Sequence, residues 1–178
     1  MSPDLIRLLL RVPARISCLL FLAAFAGQGL RSLWPTNWTA WMERSRPQFL
    51  LAFAGSHTVH LALVFTLAWT IPDAFRRQFP VFGLIGGGVV YVLIYVLAWA
   101  ALVEVRSRRA TPIPLPHLTA FQTTAMYLIW AVFALAFLGG SFRDPRTYAA
   151  FGIGVIAAMV VRLAGRRSTT VQPPAVAD

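Results

Sequence analysis

The chain has 178 residues, 58% of them hydrophobic and 12% charged. Soluble domains carry about 25% charged residues, so an ordinary cytosolic enzyme is excluded, and the apolar content excludes a disordered chain. Sixteen arginines, no lysine and six acids leave a net charge of +10. The basic residues fall in short clusters between apolar runs, which is how membrane proteins arrange them and not how a nucleic-acid binder does.

From the N-terminus, Arg7, Arg11 and Arg15 recur every four residues and form one helical stripe, with Leu5, Ile6, Leu8, Leu9 and Leu10 between them. That pattern suits an interfacial helix leading into a first span around Ile16–Leu30. The same stretch also has the make-up of a secretory signal: a basic leader, an apolar centre, and Ala24-Phe25-Ala26 resembling a cleavage site. The connection Arg31–Gln48 holds Trp34, Trp38 and Trp41 at helical spacing. The spacing predicts a short interfacial helix with its indoles at headgroup level, and an aromatic substrate platform is the sharper alternative.

A helix crossing the hydrocarbon core needs about 20 apolar residues. Phe49–Ile71, Val81–Val103, Leu118–Gly140 and, slightly short, Tyr148–Ala164 meet that need. The expectation is an all-α integral membrane bundle of about five transmembrane helices in one domain, residues 1–164, with spans near 16–33, 48–71, 81–103, 118–140 and 147–164. Residues 165–178, containing Pro173-Pro174, are predicted to be a disordered tail.

Arginine placement gives an orientation. Arg31, Arg44, Arg46, Arg106, Arg108, Arg109, Arg162, Arg166 and Arg167 fall on the side of the C-terminus, and Arg7, Arg11, Arg15, Arg76, Arg77, Arg143 and Arg146 on the other. Nine against seven favours a cytoplasmic C-terminus by the positive-inside rule. A bacterial inner membrane is the expected setting.

All six acids lie outside the apolar runs or at their ends. That counts against a proton-coupled transporter or cation exchanger and removes the usual general acids and bases. Ser56 and His57 are adjacent, but neighbours on a helix point about 100° apart and would not face each other. The single cysteine, Cys18, excludes a disulfide framework or CxxC metal site and reads as a small buried hydrophobe. Gly83 and Gly87, four apart, predict a close helix–helix approach, and Gly152 and Gly154 invite the same account.

Three histidines remain. His57 and His60 share a face of the second span, and His117 opens the fourth. A neutral imidazole is a common ligand for metals and haem iron. The alternative is that His57 and His60 hydrogen-bond across helices, joined by Ser56 and Thr58, with His117 interfacial behind Pro112, Pro114 and Pro116.

The stretch Arg46-Pro-Gln-Phe-Leu-Leu-Ala-Phe-Ala-Gly-Ser-His57-Thr-Val-His60-Leu resembles the first histidine-bearing helix of the ferric reductase-like transmembrane domain family, in which an Arg opens the helix and a His follows an apolar run. Leu115-Pro-His117-Leu-Thr-Ala-Phe-Gln-Thr-Thr-Ala-Met-Tyr127-Leu-Ile-Trp130 resembles that family's Leu-His motif with its downstream Tyr. The resemblance covers roughly residues 46–140. It implies a b-type haem held between helices and electron transfer with a redox partner protein, a quinone, a flavin or ferric iron. The implied ligands are His60 first, His117 second and His57 as alternate, with no catalytic residue and any oxidoreductase activity dependent on a partner.

The chain departs from the family pattern. Family helices can carry two histidines about four turns apart, whereas Arg46 stands four turns before His60, and Trp130 and Ala131 stand about four turns after His117. At 1.5 Å per residue His60 lies about 18 Å and His57 about 13 Å beyond Gln48, while His117 begins its span. His60 and His117 therefore look like members of different haem sites. Three outcomes follow: a single-histidine haem, a second ligand from a partner protein, or a haem-free structural or assembly protein on the same scaffold.

Overall fold

A computed structural model describes residues 3–78, 81–107 and 116–170, with side chains described for most of these. Every element in them is helical: α1 Pro3–Leu33, α2 Asn37–Arg44, α3 Arg46–Thr70, α4 Pro72–Gln78, α5 Val81–Ser107, α6 Pro116–Arg143 and α7 Pro145–Thr170. Five segments are long and apolar enough to cross a membrane: Leu9–Leu33, Arg46–Thr70, Gly83–Ser107, Ala120–Arg143 and Pro145–Ser168. The protein is an all-α, multi-pass integral membrane bundle. Its outward side chains agree, with Phe142, Trp69, Leu135 and Ile153 all largely exposed, a surface that water would not tolerate but lipid tails would.

Prolines set the breaks. Pro72 lacks an N–H and disfavours helical backbone at Ile71, so α3 ends there. The ring then suits the first position of α4. Pro145 does the same between α6 and α7, where the Asp144 carbonyl accepts from Thr147 and Tyr148 N–H groups at 3.2 Å. Pro13, in contrast, lies inside α1. The expected interfacial lead-in is therefore not a separate helix: α1 is continuous over 31 residues, about 46 Å, and its apolar stretch begins at Leu9. At the other end α7 continues to Thr170, so the region expected to be a tail from residue 165 is helical for its first turns. Residues 171–178 lie outside the described ones.

The predicted tryptophan helix is α2. Thr36 caps it: its hydroxyl accepts from Thr39 N–H, and Thr39 Oγ1 in turn accepts from Thr36 N–H, so two otherwise orphaned donors are satisfied. Thr39 and Met42 face inward while Trp34, Trp38 and Trp41 are at least half exposed.

The chain divides into two compact units. The first comprises Met1–Phe21 and Pro47–Phe133. Its core is a triangle of rings from three helices, Phe21 of α1, Phe53 of α3 and Phe133 of α6, with centroids 5.3, 5.4 and 6.0 Å apart. Ile94 and Leu97 of α5 and Met126 and Ile129 of α6 are also fully buried.

The second unit comprises Leu22–Arg46 and Ala134–Asp178. Here α6 and α7 meet through Phe137 stacked on Phe151, centroids 5.1 Å apart. The α1–α7 contact is closer still. A Cβ on Gly165 would lie 2.6 Å from Gly29 Cα, and one on Gly29 would lie 2.5 Å from the Val161 carbonyl oxygen. Only glycine lets these two backbones touch.

The glycines singled out from the sequence behave differently. A Cβ at Gly86, Gly87 or Gly88 would meet nothing within 4 Å, so the close approach expected at Gly87 does not occur among the described residues. At Gly152 it does, with Leu138 Cδ2 3.1 Å and Ser141 Oγ 3.2 Å from an added Cβ. Gly154 has only ordinary contact, with Leu22.

Candidate functional site

The polar groups of the first unit gather where α3 meets α1 and α5. Ser56 Oγ donates to the Pro13 carbonyl at 3.2 Å and accepts from Ser17 Oγ at 3.0 Å. Ser17 also reaches the Pro13 carbonyl, at 2.7 Å. One turn on, His60 Nδ1 lies 3.0 Å from the Leu10 carbonyl. A carbonyl only accepts, so Nδ1 carries the proton and donates. On the α5 side, Thr58 Oγ1 and Tyr95 Oη are 3.0 Å apart, and Tyr91 Oη donates to the His57 carbonyl at 3.4 Å. Ser56 is thus committed to α1 and does not pair with His57, as its helical offset required.

His57 sits among rings. Tyr91, Phe53, His60 and Phe133 have centroids 5.1, 5.4, 5.6 and 6.1 Å from its own. Its Nδ1 is buried and has no hydrogen-bond partner. Tyr91 and Tyr95, which tie α5 to this cluster, carry no motif signal. A tyrosine four residues from another in an apolar run is the only hint the sequence offers.

His57 and His60 are therefore together, and His117 is elsewhere. His117 is the second residue of α6, and its side chain lies outside the described ones. The α6 residue level with His57 is Phe133, 16 residues further along, or about 24 Å at 1.5 Å per residue. Two histidines on one haem iron must bring their nitrogens within about 4 Å across the metal, twice an imidazole–metal bond of about 2 Å. His57 and His117 do not meet that requirement. His57 and His60 leave the same helix one turn apart, so they approach any ligand from one side. Among the described side chains no two histidines face each other across a haem iron. Among the described residues no group of three or more His, Cys, Asp or Glu could hold a metal ion.

In the second unit one charged residue is buried. Arg162, counted above among the C-terminal loop and tail arginines, lies within α7 and is only 4% exposed. Its Nη1 donates to the Phe25 carbonyl at 2.6 Å, and its guanidinium carbon stands 4.5 Å from the centroid of the Phe25 ring. A helical carbonyl retains a second lone pair, so it can accept this charged donor without losing its own helix bond. The ring face adds a cation–π contact. Placing Arg162 inside the helix reduces the arginine count behind the orientation to eight against seven. Cys18, as expected, is a fully buried free thiol.

No family model, curated protein or solved structure matches this chain.

Proposed function

We propose that the protein is a haem-free membrane scaffold or assembly subunit on a ferric reductase-like scaffold, in which the polar side chains of α3 hold helices together. The observation that supports this is the bond from His60 Nδ1 to the Leu10 carbonyl. The histidine that the family resemblance would give to iron is engaged with α1, in register with the Ser56, Ser17 and Pro13 bonds. Hydroxyl and imidazole groups bonded across helices are a recurrent adhesive in lipid. In this reading the chain lies in a bacterial inner membrane with its C-terminus cytoplasmic. A periplasmic signal from a C-terminal reporter fusion would reverse that orientation.

A second reading, a b-haem-linked electron-transfer subunit, draws on the same bond. Metal-ligating histidines commonly donate their other N–H to a backbone carbonyl. With Nδ1 donating to Leu10, a neutral His60 keeps the lone pair on Nε2. His60 would then hold the iron, with His57 as alternate and a partner protein or quinone completing the electron path. Haem would supply one-electron chemistry, and the chain's own residues would fix the imidazole's orientation.

The visible spectrum of protein purified from haem-replete cells, oxidised and dithionite-reduced, separates the two. The scaffold reading expects no Soret or α-band, and a loss of about 0.6–1.7 kcal/mol in stability on His60→Ala, the range for polar contacts between membrane helices. A haem spectrum abolished by His60→Ala would overturn it in favour of the second reading. If His117→Ala also abolished the spectrum, the separation of about 24 Å would be wrong as well.

A further inference from the structure

One end of the second unit is basic and rimmed with indoles. The Gly29–Gly165 backbone contact places the last turn of α1 against the last turns of α7, and the α2 backbone at Met42 and Glu43 lies just under 4 Å from where a Gly27 Cβ would be. Arg31, Arg44, Arg166 and Arg167 therefore come to one end from three helices, with Glu43 the one carboxylate on these segments. Part of this charge complements the helix C-termini that the arginines close. Three termini at about half a negative charge each, plus Glu43, offset about 2.5 of the four positive charges and leave this end net positive by about 1.5. Arg44, Arg166 and Arg167 are exposed, and Arg31, whose Nη1 donates to the Thr36 carbonyl at 3.2 Å, is part-exposed. Trp34, Trp38 and Trp41 project beside them, 56%, 60% and 50% exposed.

We infer that this end of the second unit binds the phosphate head groups of anionic phospholipids, with the α2 indoles lying at the level of the ester carbonyls. The chemistry is complementary at both ends of the lipid. Guanidinium forks match phosphate oxygens, and indoles favour the boundary between head group and acyl chain. The capping box at Thr36 holds α2 so that its buried Thr39 and Met42 face the protein and its tryptophans face the lipid. The site is independent of the histidine cluster and holds whichever reading of that cluster is right.

The full chain carrying W69F/W99F/W130F keeps fluorescence only on the three tryptophans concerned. It is reconstituted in vesicles mixing phosphatidylcholine and phosphatidylglycerol, with the acyl-chain bromines on one lipid or the other. Brominated phosphatidylglycerol is expected to quench more strongly than brominated phosphatidylcholine at equal mole fraction. Each arginine near an anionic surface corresponds to about fivefold local enrichment. In R44Q/R166Q/R167Q the preference should fall to near parity with helicity unchanged, while R143Q/R146Q, at the junction of α6 and α7, should keep it. Equal quenching by the two lipids in the parent, or a preference that survives R44Q/R166Q/R167Q, would overturn the assignment. So would loss of the preference in R143Q/R146Q, because it would then reflect net charge and not this end.

Discussion

Gly165→Ala tests the close crossing of α1 and α7. The added methyl would lie 2.6 Å from Gly29 Cα and 2.7 Å from the Gly29 carbonyl oxygen. Carbon atoms prefer about 3.5–4.0 Å, so α1 and α7 must separate locally by about 0.9 Å or more to accept it. Neither obstacle is a flexible side-chain tip that could rotate away. Overpacking of this kind costs about 1–3 kcal/mol, and the better helix propensity of alanine returns up to about 1 kcal/mol. Separation also stretches the 2.6 Å bond from Arg162 to the Phe25 carbonyl. A hydrogen bond to a charged group contributes about 1.5–3 kcal/mol in proteins generally. The expected net loss is about 1–3 kcal/mol, read as a shift in the SDS-unfolding midpoint followed by circular dichroism. The decisive measurement is the double-mutant cycle with Arg162→Met. If Gly165→Ala already weakens the Arg162 bond, the two losses are less than additive. Gly165→Ala at wild-type stability, or full additivity with Arg162→Met, would refute the close crossing as the feature that positions Arg162.

Phe21→Ala removes the ring shared by Phe53 and Phe133 and should cost about 3–5 kcal/mol in the same unfolding assay, among the largest of any single apolar truncation in the first unit. Gly87→Ala should be neutral or stabilising by up to about 1 kcal/mol, since nothing lies within 4 Å of the new methyl; a clear destabilisation would show that α5 packs closely there after all.

What the sequence revealed follows from what each signal depends on. Spans are legible because the bilayer imposes a length and a composition on each helix alone, so their number and rough limits could be read without knowing any contact. The α2 helix was legible for a similar reason, its tryptophan spacing being local. Packing is not local. Gly87 carries the small-residue spacing with Gly83 yet a Cβ there would meet nothing within 4 Å, whereas Gly29 and Gly165, 136 positions apart, touch through their backbones. Arg162 lies inside the span expected near 147–164 yet counts with Arg166 and Arg167 in the charge tally, and only the Phe25 carbonyl reveals that it turns inward. The histidines were found as candidates, and their spacing along α3 gave the depth difference from His117. That Leu10 would receive the His60 proton depends on an α1–α3 pairing that no periodicity encodes.

The second unit joins Leu22–Arg46 to Ala134–Asp178, and the Arg162 bond to Phe25 spans 137 positions. During synthesis the partner of Phe25 and Gly29 does not exist until α7 has been made. The first unit, whose segments end at Phe133, can be completed earlier. For that interval the C-terminal half of α1 waits in the membrane with its glycine surface uncovered. A ribosome that stalls before α7 therefore leaves an open helix face, the kind of lesion by which membrane quality control can tell an unfinished chain from a finished one.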